Sequence, residues 1–196
     1  MILDPEDLGP RETYKFLTAS VVPRPIAWVS TVSADGVNNL APFSFYTVAS
    51  RDPATLVISV GERTDDQAPE KDTLRNIEDT REFVVNVVSV SLANAMHESS
   101  LNHAPEADEF RAAGLSAAKS ELVAAPRISE ARISTECRLD GIIPIGSDHL
   151  VLGRAVRFHI LDDLYKSGRV DLEALDPLGR LAGNYTKLGG IFNLPM

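Results

Sequence analysis

The chain has 196 residues, 44% of them apolar and 24% charged, with a formal net charge of −9. That is enough for one globular domain with a real core, and the acidic balance argues against binding nucleic acid or anionic membrane, which needs a cationic footprint. The lone cysteine, Cys137, excludes an internal disulfide and suits a reducing, cytoplasmic setting.

Residues 1–20 read as an N-terminal arm with a helical turn; MILDPEDLGPRETYKFL has no basic-then-apolar signal pattern,. No apolar run is long enough to span a membrane. PIAWVSTVS and LAPFSFYTVAS read as two strands joined at Asp35-Gly36, a strong hairpin signal,. Pro42 falls in the middle of NNLAPFSFY (38–46), where the second begins, and a proline inside a strand implies an edge, a bulge, or a backbone that faces something other than a strand,. ATLVISVG (54–61) reads as a strand buried on both faces,. ERTDDQAPEKD (62–72) is a long charged connection and a candidate functional loop,. TLRNIEDT is expected to be a short helix capped by Asp72 or Thr73,. EFVVNVVSV is the next strand. SLANAMHESS and PEADEFRAAG follow as helices, the second ending at Gly114,. ARISTECRLDGIIPI, with Cys137 as a small buried residue, and HLVLGRAVRFHILDD form two long strands around a GSD turn,. Residues 164–196 are an extension of helical turns and Gly-rich loops. About six or seven hairpin-connected strands with short helices fit an antiparallel barrel, as one domain over 1–196.

Familiar catalytic devices are missing: no G-x-S-x-G, H-E-x-x-H, C-x-x-C, P-loop or G-x-G-x-x-G occurs,. The histidines at 97, 103, 149 and 159 share no ligand spacing, so no metal is expected,. Five segments suit an anionic, planar, polar ligand, and each has a plainer reading. KDTLRN offers a helix N-terminus with Lys71, Thr73 and Arg75 for a phosphate, or a solvated helix start. Ser30, Thr31 and Asn39 suit a ribityl chain, or ordinary turn and edge chemistry. Arg24, held between two prolines, grips an anion or stiffens a surface turn. His149, after the GSD turn, lies near a redox ring or is a strand-end histidine. GRLAGNYTKLGG, with Tyr185, passes close to a ligand or wraps a partner subunit.

In sequence order, VVPRPIAWVST, NLAPFSFY, KDTLRNI, EFVVNVV, DEFRAAGL and LGRLAGNY span about residues 14 to 190. Together they resemble the flavin reductase-like, FMN-binding split-barrel family. The resemblance implies a mainly β, six-stranded antiparallel Greek-key split barrel that forms a homodimer, with FMN near the subunit interface. It implies that Ser30, Thr31, Lys71 and Thr73 hold the phosphate–ribityl end. Asn39, Leu40, Ala41, Pro42 and Ser44 would line the ring, with Arg24 and Tyr185 as further cofactor contacts. His149 is similar to the histidine of the family's GDH turn, near flavin and nicotinamide. Two departures stand out: the turn here is one residue longer, GSDH, and Arg154 occupies a position where many relatives carry an acid.

A flavin carries redox chemistry without a protein nucleophile, so the missing triad agrees with this reading. The implied activity is NAD(P)H-dependent flavin reduction, with electrons passed to a partner monooxygenase or another acceptor. The alternatives are a flavoredoxin-like FMN carrier without NAD(P)H activity, and a non-catalytic dimeric ligand-binding module.

Overall fold

A computed structural model describes residues 1–62, 70–104 and 106–194. In chain order the elements are α1 (Pro10–Ser20), β1 (Ala27–Val32), β2 (Asn38–Phe43), β3 (Tyr46–Arg51), β4 (Ala54–Gly61), α2 (Asp72–Thr80), β5 (Glu82–Val87), α3 (Ala93–Glu98) and α4 (Glu109–Ala112). There follow β6 (Ala117–Ala118), β7 (Arg127–Ile128), the long hairpin β8 (Ile133–Ile145) and β9 (Asp148–Ile160), β10 (Tyr165–Lys166), β11 (Arg169–Val170), α5 (Leu172–Leu175), β12 (Leu178–Arg180) and β13 (Tyr185–Lys187).

Seven strands form one antiparallel sheet in the order β2-β1-β5-β8-β9-β4-β3. Its two edge strands, β2 and β3, are joined by Ser44 and Phe45 alone. Two residues cannot span an open seven-stranded sheet at about 4.8 Å per strand, so the sheet must curl until its edges meet at that corner. There the Ser59 N–H donates to the Phe45 carbonyl at 2.8 Å. This is the expected mainly β barrel class. The strand count exceeds six because LAPFSFYTVAS, expected as one strand, breaks at Ser44-Phe45 into β2 and β3.

Strand alternation sorts the side chains into two cores. Ala27 and Val29 of β1 face the barrel interior with Phe43, Ile58, Val60, Phe83, Val85, Cys137 and Val151, and α2 plugs it with Leu74 and Ile77. Trp28 points the other way and packs outside the barrel with Leu40, Met96, Phe110 and Leu178. Each large side chain buried this way contributes roughly 1.5–3 kcal/mol. Gly153 is required inside: a Cβ there would sit 2.2 Å from Cζ of Phe83.

Some local expectations change. Strand β4 is buried mainly on one face: Ile58 and Val60 enter the core, while on the outer face Thr55 is buried and Val57 and Ser59 are half-buried. The N-cap of α2 is Lys71, with no side-chain cap bond, rather than Asp72 or Thr73. The DEFRAAG helix has only four residues, and Gly114 (φ +68) follows it as a C-terminal glycine should,. Most of the charged loop 62–72 lies outside the described residues.

Candidate functional site

Pro42 lies on an edge strand, opposite Trp28 of β1. The N–H of Leu40 points off that edge, donating to the carboxylate of Glu109 at the start of α4. Alternate residues of a strand aim their backbone the same way, so the Pro42 nitrogen also faces outward. The proline therefore removes no ladder bond, and Glu109 blunts the part of the edge before it.

Helix α2 begins beside this edge. Asn39 Nδ2 donates to Thr73 Oγ1 and Asn76 Nδ2 donates to Thr31 Oγ1, both at 3.0 Å. These bonds pin the helix onto β2 and β1, and its positive end opens next to Asn39. The resulting cleft, of about 100 Å³, is lined by Asn39, Ala41, Pro42, Lys71 and Thr73, with Ser100, Asn102, His103 and Glu109 opposite. A cleft of about 200 Å³ adjoins it at Pro42 and Ser100 and includes Tyr14, Ser44, Arg180 and Tyr185. A third, of about 490 Å³, meets both at Pro42 and runs along Ser44, Phe45, Gly61, Ser147 and Asp148.

The structure thus brings together seven of the expected site residues: Asn39, Ala41, Pro42, Ser44, Lys71, Thr73 and Tyr185. It sets others apart. The Ser30 hydroxyl is fully buried, donating to the Pro126 carbonyl and accepting from Asn86 Nδ2 at 3.1 Å. Thr31 is buried against Asn76. The Leu40 side chain sits in the outer core. Arg24 is 5% exposed, and its guanidinium donates to the carbonyls of Thr18, Val21 and Leu181 and, at 3.4 Å, to Ser44 Oγ. It ties α1 and the segment after β12 to the β2–β3 corner. His149 pairs with Val60 and Pro144; its neighbours Ser147 and Asp148, not His149 itself, line the third cleft. The sequence reading missed Tyr14, Ser100, Asn102, His103, Glu109 and Arg180. The polar run ESSLNH was the available signal for three of them.

The ionisable groups narrow the chemistry. Burial, with Glu136 nearby, pushes the Cys137 thiol up to about 12, so it is no thiolate nucleophile at neutral pH,. Burial likewise raises the Tyr46 phenol to about 12. Glu136 is fully buried away from the clefts. Burial pushes its carboxyl up. Bonds from the Glu121 N–H, His159 and the Leu122 N–H outweigh that and leave it below the ordinary value. Among the described residues, no group of three His, Cys, Asp or Glu side chains is placed to hold a metal. The clefts offer hydroxyls, amides, an ammonium and a guanidinium, with the carboxylates of Asp72, Glu109, Glu62 and Asp148 and the His103 ring at their walls: a polar binding site with no activated thiol or metal cluster among the described residues.

A curled antiparallel barrel with a polar cleft along an interrupted edge strand defines the class, and it is a split barrel. The fold matches a protein with a flavin reductase split barrel domain from Shewanella frigidimarina (TM-score 0.86, 21% identity, 100% of this chain and 99% of that one). Nearer in sequence are nitrilotriacetate monooxygenase component B from Bacillus cereus (TM-score 0.95, 37% identity, 99% and 98% covered) and the Pseudomonas fluorescens 2-nitrobenzoate 2-nitroreductase NbaA (TM-score 0.91, 31% identity, 100% and 96% covered). Residues 19–189 match the family described as flavin reductase like domain. The chain belongs to that family and is an oxidoreductase of the flavin reductase type.

Proposed function

We propose that this protein is an FMN-binding, NAD(P)H-dependent flavin reductase. One observation carries the reading: the interrupted edge Asn39–Pro42 lies beside the positive end of α2, with Lys71 and Thr73 in the same cleft. The residues fit the cofactor. Lys71 and the α2 N-terminus suit its phosphate, Asn39 and Thr73 its ribityl hydroxyls, and the low surface at Ala41 and Pro42 its flat ring. When bound, the flavin would supply the redox chemistry by accepting a hydride at N5 from the nicotinamide.

The chain's own residues do the rest. Asn39 and Thr73 hold each other in place and keep the helix end open. Arg24 fixes Ser44, and with it the corner between the edge strands. Tyr14, Phe16 and Leu17 of α1, Val21 just after it and Val48 of β3 are exposed apolar side chains, which supports a homodimer with the clefts near its interface. Reduced flavin, or its electrons, would pass to a partner monooxygenase or another acceptor. The single cysteine and the lack of a helix long and apolar enough to cross a membrane among the described residues fit a cytoplasmic setting.

The test is nicotinamide oxidation by purified protein with NADH or NADPH and added FMN. Flavin-dependent loss of nicotinamide absorbance is expected with at least one donor. No turnover with either, in a protein that still binds FMN, would make it an electron carrier instead.

A further inference from the structure

A groove of about 450 Å³ differs in character from the polar clefts, and of its lining residues only Ile26 also lines one of them. Its walls are mostly apolar, with Pro25, Tyr46, Val87, Pro177 and Leu178. No carboxylate lines it; its charged members are Lys187 and Arg24, the latter already donating to three carbonyls. Leu188 and Gly189 belong to the same wall, and there the chain leaves the groove. Ile191, Phe192 and Leu194 stand 54, 79 and 77% exposed. Gly189–Leu194 forms no hydrogen bond with the described residues, and Gly189 and Gly190 face open space. The chain thus presents an open apolar groove and, directly beside it, an apolar segment that its own fold leaves uncovered.

We infer that Leu188–Leu194 is an exchange arm that seats in the groove of a second copy of this chain. The inference rests on the homodimer reading and names the elements that build its interface. Three observations select this occupant. The arm and the groove adjoin at Leu188 and Gly189, so a two-fold axis passing nearby places each arm on the other copy's groove, as an isologous contact requires. Within its own chain the arm has already run past the groove into solvent. The arm, LGGIFNL, carries no charge and the groove carries only cations, so two chains of net charge −9 meet there without opposing carboxylates. Phe192 is the large ring suited to anchor such a contact. Gly189-Gly190 is the hinge that lets the arm cross to its partner.

The experiment is sedimentation equilibrium of the full chain, with FMN binding read on the same samples. A dimer is expected, and its dissociation constant should rise about a hundredfold in Phe192→Ser/Leu194→Ser. An unchanged constant in that variant would overturn the exchange while the homodimer stands. A crosslinking arm locates the contact. Cys137 is fully buried, so cysteines introduced by Phe192→Cys in one preparation and Val87→Cys in another are the reactive ones. After the two preparations have been mixed and have exchanged subunits, a short bis-maleimide should join one chain to the other. Joining only within single chains of Phe192→Cys/Val87→Cys defeats the proposal, because the arm would then close its own groove. A native protein that stays monomeric at every concentration defeats both the exchange and the homodimer reading, while its FMN binding still decides the cofactor reading separately.

Discussion

Two polar clusters flank the same sheet, and they resolve their polarity in opposite ways. Around Glu136, a buried carboxylate accepts from the N–H groups of Glu121, Leu122 and Val123 at 2.8, 2.6 and 3.1 Å, and contacts His159 Nε2 at 2.5 Å. No space is left for a visitor. Around Pro42, hydroxyls, amides, cations and the carboxylates of Asp72 and Glu109 line open clefts instead. The first cluster locks the segment before β7 onto β8, and the second is built to receive something. Polarity alone does not mark a site; what does is polarity that the chain leaves facing open space.

The largest effect should come from breaking the closed cluster. Glu136→Ala would strand three backbone donors and should cost about 3–5 kcal/mol. Thermal denaturation would read this as a large fall in Tm, with FMN affinity unchanged in the fraction that folds. Lost FMN binding in well-folded Glu136→Ala would erase the distinction between the clusters.

Arg24 straddles both regions. Arg24→Gln is expected to lose about 2–3 kcal/mol of stability and also to weaken FMN binding, since Ser44 and the Leu181 segment are released together. Arg24→Lys should rescue little, because an ammonium cannot reach three diverging carbonyls as the fork does. Equilibrium denaturation and flavin fluorescence quenching measure the two effects separately.

The open cluster should respond in the reverse sense. Lys71→Ala is expected to weaken FMN binding by about tenfold, or 1.4 kcal/mol, with Tm nearly unchanged. A large drop in Tm without loss of affinity would assign Lys71 to the scaffold.

Acid supplies the gentlest probe. The Glu136 carboxyl is held below its ordinary value of 4.5, so on acidification the unfolded chain takes up a proton before the folded one. The stability it contributes is full above that value and drains as pH falls toward the folded pKa. Urea midpoints measured through this range should fall more steeply in the native protein than in Glu136→Gln.

Much of the lining of the open clefts was legible in sequence. Pro42 stood out as a proline inside an expected strand, and Lys71 and Thr73 stood at a helix start. Both are signals carried within a few neighbours. The burial of Ser30 was not legible because its partner, the Pro126 carbonyl, lies 96 positions away, and nothing local distinguishes a hydroxyl that will be satisfied within the fold from one that will not. Glu136 passed unnoticed for a related reason: its partners are mostly backbone N–H groups, which every residue but proline carries. Arg180 and Tyr14 reach Pro42 only through the curl of the barrel. The strand break at Ser44-Phe45 was hidden because the sequence on both sides keeps the same apolar, β-prone character.

One feature bears on how the molecule is made. Arg24 reaches the Leu181 carbonyl across 157 positions, while the strands that flank Pro42 are near neighbours in the chain. During synthesis from the N-terminus, the edge strand and the helix that opens beside it emerge early. The wall carrying Arg180 and Tyr185 emerges more than a hundred residues later. A nascent chain can therefore form half of the pocket long before it can close the other half, and ligand capture waits until Arg180 and Tyr185 have been made.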